Sequence, residues 1–159
     1  MPAIYTTEWY EALKKLLNEN PQVAKNAPSG TFRVLAKIFG DEHSHYLPAG
    51  ELRNFVVLFA DGKCLEYQQV ETPPPRKDFE FIFELPATVF EKVAAGQIDL
   101  IDAGLKGRIK ITGDMRILIR HAEWVNVLSN LYAREVDTVW PKGKPDSAEL
   151  TPVSAEQAR

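Results

Sequence analysis

The chain has one cysteine, Cys64, in 159 residues. An internal disulfide is therefore excluded, and with it the stapled and cysteine-rich mini-folds; a lone thiol suits a reducing compartment. No run approaches the ~20 apolar residues that a membrane span requires. An excess of positive charge is also missing. The 19 Lys and Arg against 22 Asp and Glu leave a net charge of −3 and a pI near 5.7, which argues against a dedicated nucleic-acid binder with a basic face. The start, Met1-Pro2-Ala3-Ile4, shows no charged region leading into an apolar run, so no signal peptide is visible. Glu156-Gln157-Ala158-Arg159 is not a peroxisomal Ser-Lys-Leu address. What is present is ordinary globular composition, 45% hydrophobic and 26% charged, enough to bury a core without staples. The expectation is a soluble, cytoplasmic protein of one domain.

Trp9, Leu13, Leu16 and Leu17 recur at helical spacing behind a cap at Thr6 or Thr7. Asn20-Pro21 restarts the chain in a short helix near 21–26, because proline suits the first helical position. The pattern then switches to period two. Phe32, Val34, Ala36 and Ile38 alternate with other residues, and the nearly continuous apolar run 53–60 reads as a strand covered on both faces. Asp61-Gly62 is a two-residue hairpin signal with a return strand over 63–70. Residues 71–78 contain three consecutive prolines and form an irregular connection. Phe79, Phe81, Phe83 and Leu85 alternate as the fourth strand of an expected meander. Pro86 opens a helix whose inward stripe is Phe90, Val93 and Ala94 and which Gly96 ends. Asp99 caps a short turn, Ile109 and Ile111 mark a fifth strand, and Gly113-Asp114 begins the longest helical stretch, about 114–134. Residues 135–159 read as a polar, mobile tail, turning to Pro, Lys, Ser and Glu from Pro141. Strands and helices are segregated, which predicts an α+β fold with a mostly antiparallel five-stranded sheet.

The last helical stretch is apolar on two sides. Met115, Leu118, Ile119 and Ala122 make one face; Ile117, Trp124, Leu128 and Leu131 make another. A helix lying on a sheet needs one apolar face. The second must meet another helix after a break near His121–Glu123, a hydrophobic ligand, or a partner chain.

The segment Gly107-Arg108-Ile109-Lys110-Ile111-Thr112-Gly113-Asp114-Met115 resembles the strand, tight turn and helix start of the sterol carrier protein 2 (SCP2) family. Gly30-Thr31-Phe32-Arg33-Val34 and the hairpin Phe55-Val56-Val57 … Asp61-Gly62-Lys63 fit the first strands of that family. The resemblance spans roughly 5–134 and is specific at 107–115. It implies helices covering one side of the sheet, an apolar tunnel between the layers, and a small SCP2-like lipid-binding domain over 1–134. Its ligands would be sterols, fatty acids, acyl-CoAs or isoprenoid lipids, held without catalysis and without a cofactor. Two departures border the expected cavity. Gly104-Leu105-Lys106 stands where the family has bulky residues, and the 40–50 and triple-proline loops look longer than usual.

Candidate wall residues are Phe81, Phe83, Phe90, Ile98, Leu105, Met115, Leu118 and Ile119. A ligand burying ~400 Å² of apolar surface gains roughly 10 kcal/mol. After ~4 kcal/mol or more for lost freedom, a dissociation constant of about 10–100 μM remains. Such a site needs no polar anchor. The polar alternatives have structural readings: His43 and His45 lie in a solvated loop rather than a metal site, and Asp99, Asp102 and Asp114 occupy cap positions. Cys64 has no local histidine and reads as an inert thiol. Lipid is the expected partner, with transient membrane contact. A homodimer stays open, as does an accessory role presenting a lipid intermediate to partner enzymes. An isomerase or dehydratase would rest on Asp102 and His121.

Overall fold

A computed structural model describes residues 2–131 and 136–145. In chain order the elements are α1 (Thr7–Glu19), α2 (Pro21–Asn26), β1 (Thr31–Phe39), β2 (Leu52–Ala60), β3 (Lys63–Val70), β4 (Phe81–Pro86), α3 (Ala87–Ala94), α4 (Leu100–Leu105), β5 (Lys110–Thr112), α5 (Met115–Arg120) and α6 (Ala122–Asn130). The Thr6 side chain caps α1 by accepting from the Trp9 N–H, and the Asn20 side chain caps α2 by accepting from Gln22. The β2–β3 hairpin turns at Asp61 and Gly62, with φ of 48° and 85°. Both central residues of a type I′ turn need such values.

The sheet order is β3-β2-β1-β4-β5. Every pairing is antiparallel except β1 with β4, which is parallel. The expected meander is thereby corrected. Instead of lying beside β3, β4 crosses to the far side of β1. Residues 71–80 carry that crossover over the back of the sheet, where Phe79 packs with Leu35, Val56 and Ile82. Phe79 thus leaves the strand that its spacing implied and covers the face opposite Phe81. The Arg33 guanidinium sits 5.3 Å from the Phe79 ring centroid, and Arg76 pairs with Glu84 at 3.2 Å. Both β1 and β2 are buried on two faces because this connection lies behind them.

The helices cover the front face, and α1 is fastened to the edge strand β3 through Asn18. Its side-chain amide donates to the Cys64 carbonyl at 2.9 Å and accepts from the Cys64 N–H at 2.8 Å. Cys64 is buried, and burial pushes its thiol up to about 12 against the opposing pull of Lys14. Little thiolate exists at neutral pH. Iodoacetamide is accordingly expected to leave the native protein unmodified at about pH 7.5 and to alkylate one site in denaturant, as read by intact mass.

The 40–50 loop is held by polar contacts that the pattern of the chain does not reveal. Pro86, at the N-cap of α3, offers no side-chain cap. Asp41 supplies one from a distance, accepting from the Thr88 N–H at 3.0 Å and the Thr88 hydroxyl at 2.5 Å. Beside it, Glu91 is buried. One of its oxygens, Oε2, accepts from the Tyr5 and Ser44 hydroxyls, each at 2.7 Å. Tyr5 has a φ of 68°, an unusual value for an aromatic residue. Its phenol is pushed above its ordinary range by burial and by Glu91. Burial also raises Glu91, with Asp41 adding to the effect while Tyr5, Ser44 and His45 oppose it.

A carboxyl raised on folding contributes stability below its unfolded value, and that contribution is lost as pH rises through the folded value. Glu91→Gln keeps an acceptor for both hydroxyls. It is expected to be more stable than the wild type at about pH 7.5, with the gap closing as pH falls toward the ordinary glutamate range. Glu91→Ala strands both hydroxyls and should cost about 2–3 kcal/mol. Urea denaturation across pH checks both variants.

Of residues 136–145, expected to belong to a mobile tail, Val136 and Pro145 are buried and 138–140 half-buried. The Val139 N–H donates to the Pro2 carbonyl at 2.8 Å, and the Trp9 indole N–H donates to the Thr138 hydroxyl at 3.0 Å. Trp140 meets the Tyr46 ring at 6.1 Å. A polar average hides the apolar Val136, Val139 and Trp140, which anchor this stretch. The remainder of the expected tail, 146–159, lies outside the described residues, as does the boundary near 134–135.

Candidate functional site: an apolar cavity between sheet and helices

Between the front of the sheet and the helices lies a cavity of about 420 Å³, within the ~300–1,000 Å³ typical of ligand pockets. Alternation along the strands builds its floor. Phe32, Val34 and Ala36 of β1 face it, as do Phe55, Val57 and Phe59 of β2, and Phe81, Phe83 and Leu85 of β4. The intervening Leu35, Val56 and Ile82 face the back. Tyr67 and Ile111 complete the floor; Leu17, Phe90, Val93, Leu100, Ile101 and residues of α5 and α6 form the roof. No charged side chain is among the described lining residues.

Of the candidate wall residues, Phe81, Phe83, Phe90, Leu105, Met115, Leu118 and Ile119 line this cavity. Ile98 does not. It follows the turn at Gly96, where φ is 76°, and packs half-buried against the core cluster. The β1 and β2 residues were absent from the expected wall. Their period-two spacing, shared with Phe81 and Phe83, was the available signal.

The roof explains the doubly apolar stretch. The chain breaks at His121, with φ −109° and ψ 38°, so α5 and α6 turn different faces inward. Met115, Leu118, Ala122, Trp124 and Leu128 line the cavity, while Leu131 is fully buried in the core. The break and the cavity therefore coexist. Gly104 lets α4 approach β5, because a Cβ there would stand 2.9 Å from Ile111 Cδ1. Neither the 40–50 loop nor the 71–80 crossover lines the cavity. Asp41 and Ser44 hold the first against α3, and the second runs behind the sheet.

The mouth lies beside α4 and α5. Leu105 and Ile119 line the cavity yet are 74% and 69% exposed. Trp124 is buried, edge-on to Phe59 at 5.2 Å. Its indole N–H has no hydrogen-bond partner among the described residues. A separate depression along α1 is lined by Pro2, Thr6, Glu8, Glu11 and Lys15; it is open and charged, and suits water.

The acid–base pair is not assembled on this wall. Asp102 pairs with Lys106 at 3.0 Å, and neither Asp102 nor His121 lines the cavity. Asp99 and Asp114 act as caps, accepting from the N–H groups of Asp102 and Arg116. Among the described residues no group of three or more His, Cys, Asp and Glu could hold a metal, and no helix is long and apolar enough to cross a membrane.

Residues 44–123 match the model of the SCP-2 sterol transfer family. No curated protein matches the chain. A crystal structure of sterol carrier protein 2 superposes with a TM-score of 0.69 at 18% identity, covering 82% of this chain and 98% of that one. The solution structure of a conserved hypothetical protein of Thermus thermophilus gives 0.68 at 20% identity, covering 90% and 96%. Sterol carrier protein domain 2 of Helicoverpa armigera gives 0.52 at 14% identity, covering 83% and 91%. At these identities the likeness is one of fold.

Proposed function

Because the chain belongs to the SCP-2 sterol transfer family, we propose that its cavity takes up an apolar lipid and releases it unchanged. The observation that carries this reading is the wall: 25 hydrophobic residues around about 420 Å³. Empty space lined in this way disfavours water and gains from any hydrocarbon that fills it. The lipid class is a sterol, fatty acid, acyl-CoA or isoprenoid. Among the described lining residues Tyr67 is the one titratable side chain, and a wall so poor in acid, base and nucleophile supports carriage rather than conversion.

The test is titration of the purified protein with a fluorescent fatty acid, with competition by a sterol, an acyl-CoA and an isoprenoid alcohol. Saturable uptake in the range of about 10–100 μM or tighter is expected. Absence of saturable uptake across all classes overturns the reading. Where uptake is found, mass spectrometry of small molecules extracted from protein purified from its own host identifies the lipid.

A further inference from the structure

The cavity mouth also carries a surface of its own. Leu105 and Ile119 project into solvent where the cavity opens. Folded chains seldom leave two large apolar side chains together at a pocket rim without a use. The charge around them is opposite to that of the whole. The chain has a net charge of −3, yet residues 102–121 hold five Lys and Arg against two Asp. On α5, Ile119 and Arg120 stand three and four residues after Arg116, so the three share a stripe. Ile119 stands between those cations and the cavity-facing Met115 and Leu118. The Arg116 side chain is 84% exposed and pairs with Asp114; Lys106, next to Leu105, is 56% exposed and pairs with Asp102. Both pairs are at the surface, where such bonds exchange readily with other anions.

We infer that this α4–α5 face docks on an anionic lipid surface, with Leu105 and Ile119 entering the acyl boundary and Arg116, Arg120 and Lys106 meeting headgroup phosphates. Apolar tips ringed by cations are what such an interface binds. A second copy is a poorer occupant. A two-fold contact would set Arg116 and Arg120 of one protomer near those of the other, and two apolar side chains are far short of the area of a stable dimer. The helix α1 offers no rival face, since its Trp9, Tyr10, Leu13 and Leu17 are buried. Docking here sets the cavity mouth against the membrane. In addition, α5 buries none of its own residues, so it is a roof element that can shift at little cost.

The inference rests on the lipid-carrier reading, and the experiment separates the two. The full chain is sedimented with phosphatidylcholine vesicles with and without phosphatidylserine, beside its uptake of fluorescent fatty acid in solution. Binding is expected to the anionic vesicles, weakening with salt. Arg116→Gln/Arg120→Gln should reduce it about thirtyfold, with solution uptake unchanged because neither arginine lines the cavity. Arg116→Lys/Arg120→Lys should retain most binding, and Lys14→Gln/Lys15→Gln on α1 should leave it intact. Equal binding by the Gln pair and the wild type overturns the inference, as does equal loss in the α1 pair or no vesicle binding at all. Self-association in sedimentation that the Gln pair strengthens would assign the face to a second copy and overturn it too. Loss of solution uptake by the wild type would instead sink the carrier reading.

Discussion

Leu118→Arg is expected to eliminate saturable lipid uptake while leaving a folded protein. Leu118 lines the cavity from α5 and is half-buried. Arginine is a good helix former, and its long stem can reach the nearby mouth, so the fold should survive at a cost of about 1–2 kcal/mol. A bound lipid, however, would have to share the cavity with the guanidinium stem or strip water from its charge. Desolvating a polar group without a partner costs ~2 kcal/mol or more, which corresponds to at least about a thirtyfold rise in dissociation constant. Leu118→Met preserves volume and polarity and should bind within about threefold of the wild type. Fluorescent fatty acid titration reads both variants, with circular dichroism as the check on folding. Undiminished uptake by the arginine variant would mean that the lipid sits elsewhere.

The largest effect on stability is expected at Gly113, in the turn from β5 to α5. Its φ is 142°, a region that other residues rarely enter. A Cβ at this position would collide with the Glu80 carbonyl oxygen and the Phe81 ring, neither of which is the free end of a flexible chain. Gly113→Ala should therefore cost about 3 kcal/mol or more, combining strain with forced displacement of β4. Gly107 is the matched control. Its φ is 75° and nothing stands within 4 Å of an added Cβ, so Gly107→Ala should cost only about 1 kcal/mol. Urea denaturation gives both values. Similar costs for the two would show that the contact with Glu80 and Phe81 relaxes freely.

Local chemistry made much of this fold legible. The Thr6, Asn20, Asp99 and Asp114 caps, the Asp61-Gly62 hairpin and the strand and helix starts all follow from residues within a few positions of one another. The period-two runs also identified which strand residues share a face. The same rule failed at Phe79, because the crossover ends in a short helical turn that shifts its phase before β4 begins. Seven of the eight candidate wall residues lie on the cavity, but the eighth, Ile98, sits past a glycine turn whose direction its neighbours do not encode. The Asp41–Thr88 and Glu91–Tyr5–Ser44 contacts join segments 47 and 86 positions apart, so no motif announces them.

From residue order alone came the α+β class, the place of most elements along the chain and the shared face of Phe81, Phe83 and Leu85, because turns, caps and alternation are short-range physics. Long-range packing settled the rest. Placing β4 beside β1 depends on which sheet edge the crossover can reach. Holding Thr138 and Val139 against Trp9 and Pro2 depends on partners at the opposite end of the sequence. Whether sheet and helices meet fully or leave a space depends on side-chain volumes brought together from both layers, a sum that no single stretch contains.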